Sequence, residues 1–434
     1  MVGDAVTHDS GIEALRRDGG WALPHNRWDL LDGLNPDPLP SVSVVVVHFE
    51  QSRQLARTLL ALDRQDYPVG LVEIVVVDDG SAVPPAVPPH VRLIVQENRG
   101  FRAASARNAG AAAAGNEILV FLDADTAPEP DYLRHLTRLP ALTRDAVTVG
   151  RRRHADLAAA PAEARIETAG PAAELEEPRW LSDAYRRTGN LLESDLRGYR
   201  YLIGAVLACS RRFFLDEIGG FDESFTRYGG EDWEWAYRAW VRGAVLAHVP
   251  QAVAWHDGPD RAVREPQALE AKNAEVLALA QLVPIAGSRP RALPVAKADV
   301  VVTGPPASAT EGRMFVSRDS VLAELPSAET AESGWQARAR YDRVRIEVVI
   351  EHPLRVSPGG LATAVAAVES DQYAEVVLRS AGGTALLRFV CARASARQAR
   401  WGGDLLLPTL ELDDPGVVAL DAEPDVEAYV GGWG

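Results

Sequence analysis

Apolar positions in the first half of the chain fall in short unbroken runs, separated by polar stretches carrying proline or glycine. That is the pattern of strands buried on both faces. Ser41 to Val47 is the first such run, entered through the proline-rich stretch 35–40, and Glu73 to Val77, Val91 to Val95 and Ile118 to Leu122 come after it. Between them Leu55, Leu59, Leu60 and Leu62 crowd one side of a helix over 53–64. A second, alanine-rich helix opens after Asn98-Arg99-Gly100-Phe101 and runs to about Ala114. The order strand, helix, strand, strand, helix, strand predicts a mostly parallel α/β sheet covered on both faces.

Further along, Trp233, Ala236, Tyr237, Trp240 and Val241 have helical spacing directly after Gly229-Gly230, which places Glu231 and Asp232 in a first helical turn. Residues 270–282 read as another helix, and a Pro- and Gly-bearing stretch from Pro284 to Pro294 marks a boundary. Beyond it, runs at 300–302, 345–350, 375–379 and 385–390 predict a small α+β domain. The expected organisation is an N-terminal arm over 1–40, an α/β domain over 41–285 and a C-terminal domain over 299–434. That last domain has no assigned role; oligomerisation, core support and acceptor recognition are the alternatives.

The strand ends carry the chemistry. Asp78-Asp79-Gly80-Ser81 and Asp123-Ala124-Asp125 both lie directly after apolar runs, so their carboxylates emerge at the carboxyl edge of the sheet, where open α/β folds bind ligands. One spacing residue lets two carboxylates diverge, one toward a hard cation and one toward ligand hydroxyls. Each feature also has an ordinary reading. Asp-x-Asp occurs in turns, Glu231 and Asp232 suit any helix N-terminus through the macrodipole, and His256 fits a hydrogen-bonded core position. Arg151-Arg152-Arg153-His154 reads as a solvated loop, with an anionic ligand as the alternative. Trp233 and Trp235 face different sides of their helix; Trp233 is expected in the core.

The ordered set Val76-Val77-Asp78-Asp79-Gly80-Ser81, Asn98-Arg99-Gly100, Ala106-Arg107-Asn108-Ala109-Gly110 and Phe121-Leu122-Asp123-Ala124-Asp125 resembles the nucleotide-sugar half of family-2 glycosyltransferases of the GT-A fold. Gly219-Gly220-Phe221-Asp222-Glu223 and Gly229-Gly230-Glu231-Asp232 resemble the acceptor half of the galactosyltransferase-like branch. The resemblance implies a Rossmann-like GT-A catalytic domain that moves a sugar from a nucleotide-diphosphate donor, expected to be a UDP-sugar, to a carbohydrate or other acceptor hydroxyl. It implies that Asp78 and Asp79 contact base and ribose, that Arg107 lies near the nucleotide and that Asp123 touches ribose or donor sugar. Asp125 and His256 would ligate Mn2+ or Mg2+, the imidazole favouring Mn2+ somewhat. Asp232 is the expected base, with Glu231 as the alternative, and an ionisable residue there favours inversion. Trp235 is then the aromatic expected to stack on an acceptor ring. His48-Phe49-Glu50 departs from the family pattern after the first strand, and the segment between Arg153 and Tyr199 carries no motif and is expected to form a helical flap. The rival readings are a sugar-phosphate nucleotidyltransferase, which would want a basic glycine-rich loop after the first strand, and a non-catalytic carbohydrate-binding scaffold.

Composition narrows the partners. A formal charge of −16 over 434 residues argues against nucleic acid. Two cysteines far apart in sequence, Cys209 and Cys391, argue against a disulfide framework and suit a reducing cytoplasm. The absence of an 18-residue apolar run leads to the expectation of no membrane span.

Overall fold

The computed structural model describes residues 5–7, 13–227, 229–259, 266–285, 292–293, 296–306, 308–332, 334–370, 372–402 and 407–431. The chain divides into two compact units, one of residues 1–240 and 244–279, the other of residues 241–243 and 280–434. The linker expected between 285 and 299 falls largely outside the described residues.

The first unit opens with a small antiparallel sheet of β1 (Ala5–Thr7), β2 (Glu13–Arg17) and β3 (Gly20–Ala22). Trp21, Leu23, Leu30 and Leu31 are buried in one cluster with Leu139, Leu142, Ala146 and Val245, so the N-terminal forty residues share a core with the α/β domain. Asn26 ties the two together: its Nδ2 donates to the carbonyls of Leu191 and Leu246, and its Oδ1 accepts from the Leu246 N–H at 2.7 Å.

Next come β4 (Val42–His48), α1 (Ser52–Leu62), β5 (Val72–Asp78), β6 (Arg92–Val95), α2 (Ala103–Ala113) and β7 (Ile118–Asp123), in the order the apolar runs predict. Val44, Val45, Val46, Val75, Val76, Val77 and the whole of Leu119 to Leu122 have no exposed surface, as strands covered on both faces require. After them lie β8 (Thr126–Pro128), α3 (Tyr132–Leu142), β9 (Ala146–Ala155), α4 (Ile166–Ala172), β10 (Glu174–Leu175) and α5 (Arg179–Arg187). The unit is completed by β11 (Val206–Ser210), α6 (Glu231–Val241), β12 (Val245–Asp257) and most of α7 (Pro266–Leu282).

The strands order as β6-β5-β4-β7-β11-β9-β12-β8, with β10 on β9. β6, β5, β4 and β7 run parallel, whereas β11 is antiparallel to both β7 and β9. The sheet is therefore parallel where the donor motifs lie and mixed beyond. Register does the positioning. His48 lies opposite Asp78, Val47 opposite Asp123, and on the far side His256 opposite Thr126, which brings the end of β12 to the residue after Asp125.

Arg151–His154, read from sequence as a solvated loop, lies within β9. Arg151 reaches Glu177 at 2.7 Å, Arg153 pairs with Glu174 and stacks 4.2 Å above the Trp255 ring, and His154 is buried. Local partners for Arg151 and Arg153 let this polar stretch continue a strand that began with buried valines.

The second unit is built on a six-stranded sheet of order β14-β13-β15-β18-β17-β19 and a two-stranded ribbon of β16 and β20. β13 (Val300–Thr303), β15 (Ile346–Ile350), β17 (Glu375–Arg379) and β18 (Ala385–Cys391) are the four strands the apolar runs predict. β14 (Ala328–Thr330), β16 (Leu354–Val356), β19 (Thr409–Asp413) and β20 (Val417–Ala419) are short strands with weak apolar patterns. Helices α8 (Glu311–Glu324), α9 (Ala362–Glu369) and α10 (Ala392–Trp401) accompany them. Inside the unit Arg345 grips Asp299 through two hydrogen bonds of 2.6 and 2.8 Å, a buried ion pair. Cys209 and Cys391 are both buried free thiols. Among the described residues no helix is long and apolar enough to cross a membrane.

Candidate active site

The site forms where β4, β5 and β7 end, and its hub is Arg107 on α2. This guanidinium is 4% exposed; Nη1 donates to Glu231 Oε1 at 2.8 Å and Nη2 to Asp123 Oδ1 at 2.9 Å. One side chain thus joins the end of β7 to the start of α6, segments far apart in sequence. Its Cζ lies 5.5 Å from the Phe221 ring centroid. The surrounding carboxylates outweigh burial and raise its already high pKa, so it stays cationic.

Glu231 is buried, and its Oε2 has no hydrogen-bond partner in the structure. Asp232, next on the helix, accepts the Gly204 N–H at 3.2 Å through Oδ2 and the Trp233 N–H at 2.8 Å through Oδ1. Helix-end dipoles alone would keep this acid ionised at neutral pH. The outcome differs: burial first, and then repulsion from Glu231, push its pKa up to about 7 against the pull of Arg107. The preceding turn depends on Gly230, whose φ is +95° and where a Cβ would sit 2.8 Å from the Phe225 ring.

The second acidic motif is held by polar neighbours. Gln51 Nε2 donates to Asp125 Oδ2 at 2.8 Å, and His256 Nε2 lies 3.6 Å from the same oxygen. His256 Nδ1 is 3.0 Å from the Gly258 carbonyl, to which it donates, and Nε2 is the ring nitrogen turned toward Asp125. An imidazole nitrogen and a carboxylate oxygen turned toward each other are a donor pair that a divalent cation could share. Carboxylate and imidazole donors suit Mn2+. Among the described residues no group of three or more His, Cys, Asp or Glu side chains forms a complete cage, so an ion here would draw its remaining ligands from substrate and water.

The first acidic pair is divided. Asp78 is wholly buried, with Oδ1 taking hydrogen bonds from Ser81 Oγ at 2.6 Å and His48 Nδ1 at 2.8 Å. The Gln51 N–H donates to His48 Nε2 at 3.1 Å, which places the ring proton on Nδ1. Asp78 thus braces the strand ends, with Oδ2 also accepting the Ser81 N–H at 3.2 Å. Asp79 differs: Oδ2 accepts the Arg102 N–H at 2.8 Å, while the buried Oδ1 has no hydrogen-bond partner, the Arg102 guanidinium lying 3.4 Å away. Burial raises its pKa against Arg102.

The expectation for the two tryptophans is reversed. Trp235 has no exposed surface and packs 5.6 and 5.5 Å from Phe214 and Phe221, whereas Trp233 is only partly covered. The face of α6 that meets those two phenylalanines decides which indole is core.

Sequence reasoning also passed over Gln51, Ser81 and Asn108. Asn108 clamps the Gly-Gly-Phe turn, its Oδ1 accepting the Phe221 N–H at 2.8 Å and its Nδ2 donating to the Phe221 carbonyl at 2.9 Å. Its place beside Arg107 in a recognisable motif was the available signal. Gly80 is equally constrained: φ is +83° and a Cβ would lie 2.4 Å from the Asn98 backbone nitrogen. Gly80→Ala is expected to cost about 1–3 kcal/mol in urea unfolding. A substitution without effect would mean that the turn relaxes freely.

Residues 43–198 match the model of glycosyl transferase family 2, and residues 194–254 match that described as N-terminal domain of galactosyltransferase. Chondroitin synthase of Escherichia coli is 27% identical over 57% of this chain and 39% of its own length. Validoxylamine A glucosyltransferase of Streptomyces hygroscopicus subsp. jinggangensis is 30% identical over 48% of this chain and 53% of its own. Among solved structures, GalNAc-T7 with UDP, GalNAc and Mn2+ aligns at 22% identity and a TM-score of 0.41, covering 51% of this chain and 44% of that one. The chain thus spans about half the length, or less, of these relatives. The two family matches run end to end over residues 43–254, and within that stretch the chain resembles the family-2 glycosyltransferases, with a galactosyltransferase-like second half.

Proposed function

We propose that this chain transfers a sugar from a nucleotide-diphosphate donor, expected to be UDP-linked, to an acceptor hydroxyl with inversion. The observation that carries this reading is Arg107, which holds the donor-side Asp123 and the acceptor-side Glu231 on one buried cation, with the Asp125–His256 pair beginning two residues beyond Asp123. Asp125 and His256 would hold the divalent ion, and that ion would offset the charge developing on the diphosphate leaving group by several kcal/mol. Asp123, one-third exposed and oriented by Arg107, is placed to accept a hydrogen bond from ribose or donor sugar. Asp79, whose Oδ1 faces the Arg102 guanidinium at 3.4 Å, would accept an N–H or hydroxyl of the nucleoside. Asp232, with a pKa near 7, takes the acceptor proton as the glycosidic bond forms; a base is most effective when its pKa lies near the working pH. Arg107 acts through its neighbours, keeping Asp123 in place and moderating the rise in the Asp232 pKa.

The test is a thermal-shift screen of UDP- and GDP-sugars with and without Mn2+. A correct donor at a hundred times its Kd should stabilise the protein by about 2.7 kcal/mol, and only with the metal present. Gln51→Ala, which removes the hydrogen bond orienting Asp125, should raise the half-saturating Mn2+ concentration by about tenfold or more. No metal-dependent shift with any nucleotide sugar would overturn the reading.

A further inference from the structure

Helix α1 reaches both sides of the proposed cation site. Thr58 Oγ1 donates to the Ala124 carbonyl at 2.8 Å, between the two acids of the Asp-Ala-Asp turn, and Gln51, the residue before the helix, holds Asp125. Arg57 attends to the other side. Its guanidinium is 3% exposed; Nη1 donates to Asp257 Oδ2 at 3.1 Å, and Nη2 to the carbonyls of Leu157 and Ala160, both at 3.0 Å. Asp257 Oδ1 takes the Leu157 N–H at 3.0 Å, and the Asp257 N–H donates to the Asp125 carbonyl at 2.9 Å. The residue after His256 is thus fixed through its side chain and its backbone.

The imidazole is held from a second direction. In the β9–β12 ladder His154 lies opposite His256, and the two rings stand 4.9 Å apart, centroid to centroid, at an interplanar angle of 59°. Both meet one acceptor. The Gly258 carbonyl lies 3.1 Å from His154 Nδ1 and 3.0 Å from His256 Nδ1. A carbonyl oxygen has two lone pairs and no proton, so each Nδ1 donates and the acceptor is filled. The Gly258 N–H is in turn tied to the Ala155 carbonyl at 2.8 Å, and His154 has no exposed surface. The His256 ring is therefore oriented by a carbonyl that a buried imidazole pins, with its Nε2 standing 3.6 Å from Asp125 Oδ2. That gap is too long for a hydrogen bond, but two ligands each about 2.1 Å from one divalent ion can span it.

We infer that Arg57 and His154 are positioning residues of the cation site, the first acting through Asp257 and the second through the Gly258 carbonyl, and that together they preset the separation of Asp125 and His256 before an ion binds. The inference rests on Asp125 and His256 being the metal ligands, and it adds the two buried side chains that hold them in place. Outer groups that orient a ligand are typically worth about 10- to 100-fold in metal affinity.

The test reads the metal and not turnover. Mn2+ is titrated into the full chain with UDP present; free Mn2+ is followed by electron paramagnetic resonance, and ligation by the electron spin echo modulation from bound nitrogen, with His256→Ala as the reference for its loss. His154→Phe keeps an aromatic ring without the N–H donor, and should raise the Mn2+ Kd about tenfold or more and weaken the nitrogen signal. His154→Asn, which puts an amide N–H near the same place, should recover most of both. Arg57→Lys keeps the charge but cannot fork to Asp257 and the two carbonyls, and should move the Kd in the same direction as His154→Phe. A Kd within about twofold of the parent in both His154→Phe and Arg57→Lys overturns the inference even if their melting temperatures fall, because packing alone would lower stability and leave the ion untouched. Should His154→Phe not fold, Arg57→Lys decides. A parent that binds no Mn2+, or binds it without a nitrogen ligand, sinks the assignment of Asp125 and His256 as ligands, whereas parent binding with indifferent variants sinks this inference alone.

Discussion

Asp232→Asn is expected to lower glycosyl transfer by about a hundredfold or more while leaving the Kd for the nucleotide-sugar donor within about twofold of the parent. Asparagine keeps the shape and the acceptor oxygen that meets the Gly204 N–H, but it takes no proton. The pH profile gives a second, independent check. A base with a pKa pushed up to about 7 is protonated below that value, so the parent rate should fall with acid below about pH 7, and the residual rate of the variant should lack that limb. Stability should move the other way. A carboxyl whose pKa is higher folded than unfolded disfavours the fold once it is ionised, so its penalty grows from about pH 4, the unfolded value, up to about pH 7 and stays constant above. Asp232→Asn should therefore raise the melting temperature at pH 8 and have little effect on it below pH 4. Unchanged turnover would pass the role to Glu231, whose Oε2 is buried and without a hydrogen-bond partner.

Arg107→Leu is the second large effect. Removing the cation leaves Asp123, Glu231 and Asp232 clustered without a counter-charge, and breaking a buried pair from one side typically costs about 3–5 kcal/mol. Urea unfolding at pH 8 should show that loss. At pH 5 part of it should return, because Asp232, whose pKa is pushed up to about 7, is then protonated and no longer repels Glu231. Arg107→Lys keeps the charge but cannot fork to two carboxylates, so its stability should fall between the two. A loss of under 1 kcal/mol at pH 8 would show that the hub is not a structural tie and that the three acids are screened by water.

The parallel half of the fold was legible from local pattern. An unbroken valine run such as Val44 to Val47 has one comfortable destination, a strand covered on both faces, and the acids after it then emerge at the sheet's carboxyl edge. The Asp-x-Asp motif, the glycine turn before Glu231 and the four main strands of the second unit were readable on the same grounds. Short strands with weak apolar content, such as Thr409–Asp413, were not, because their pairing comes from a neighbour and not from their own residues.

What the sequence by itself determined is the set of chemically able groups and the strand ends that carry them. Only the tertiary structure decided which groups meet. Arg107 and Glu231 are 124 residues apart, and nothing local to either announces the other. The same holds for Asp78, an acid at a strand end whose oxygens are taken by a histidine 30 residues earlier and by Ser81. Trp233 and Trp235 are two positions apart on one helix and so face opposite ways. Periodicity says that one is core, and only the packing of Phe214 and Phe221 says which. The Asp232 pKa belongs to this class as well: burial and a neighbouring charge set it, and both are properties of the folded chain rather than of any residue in it.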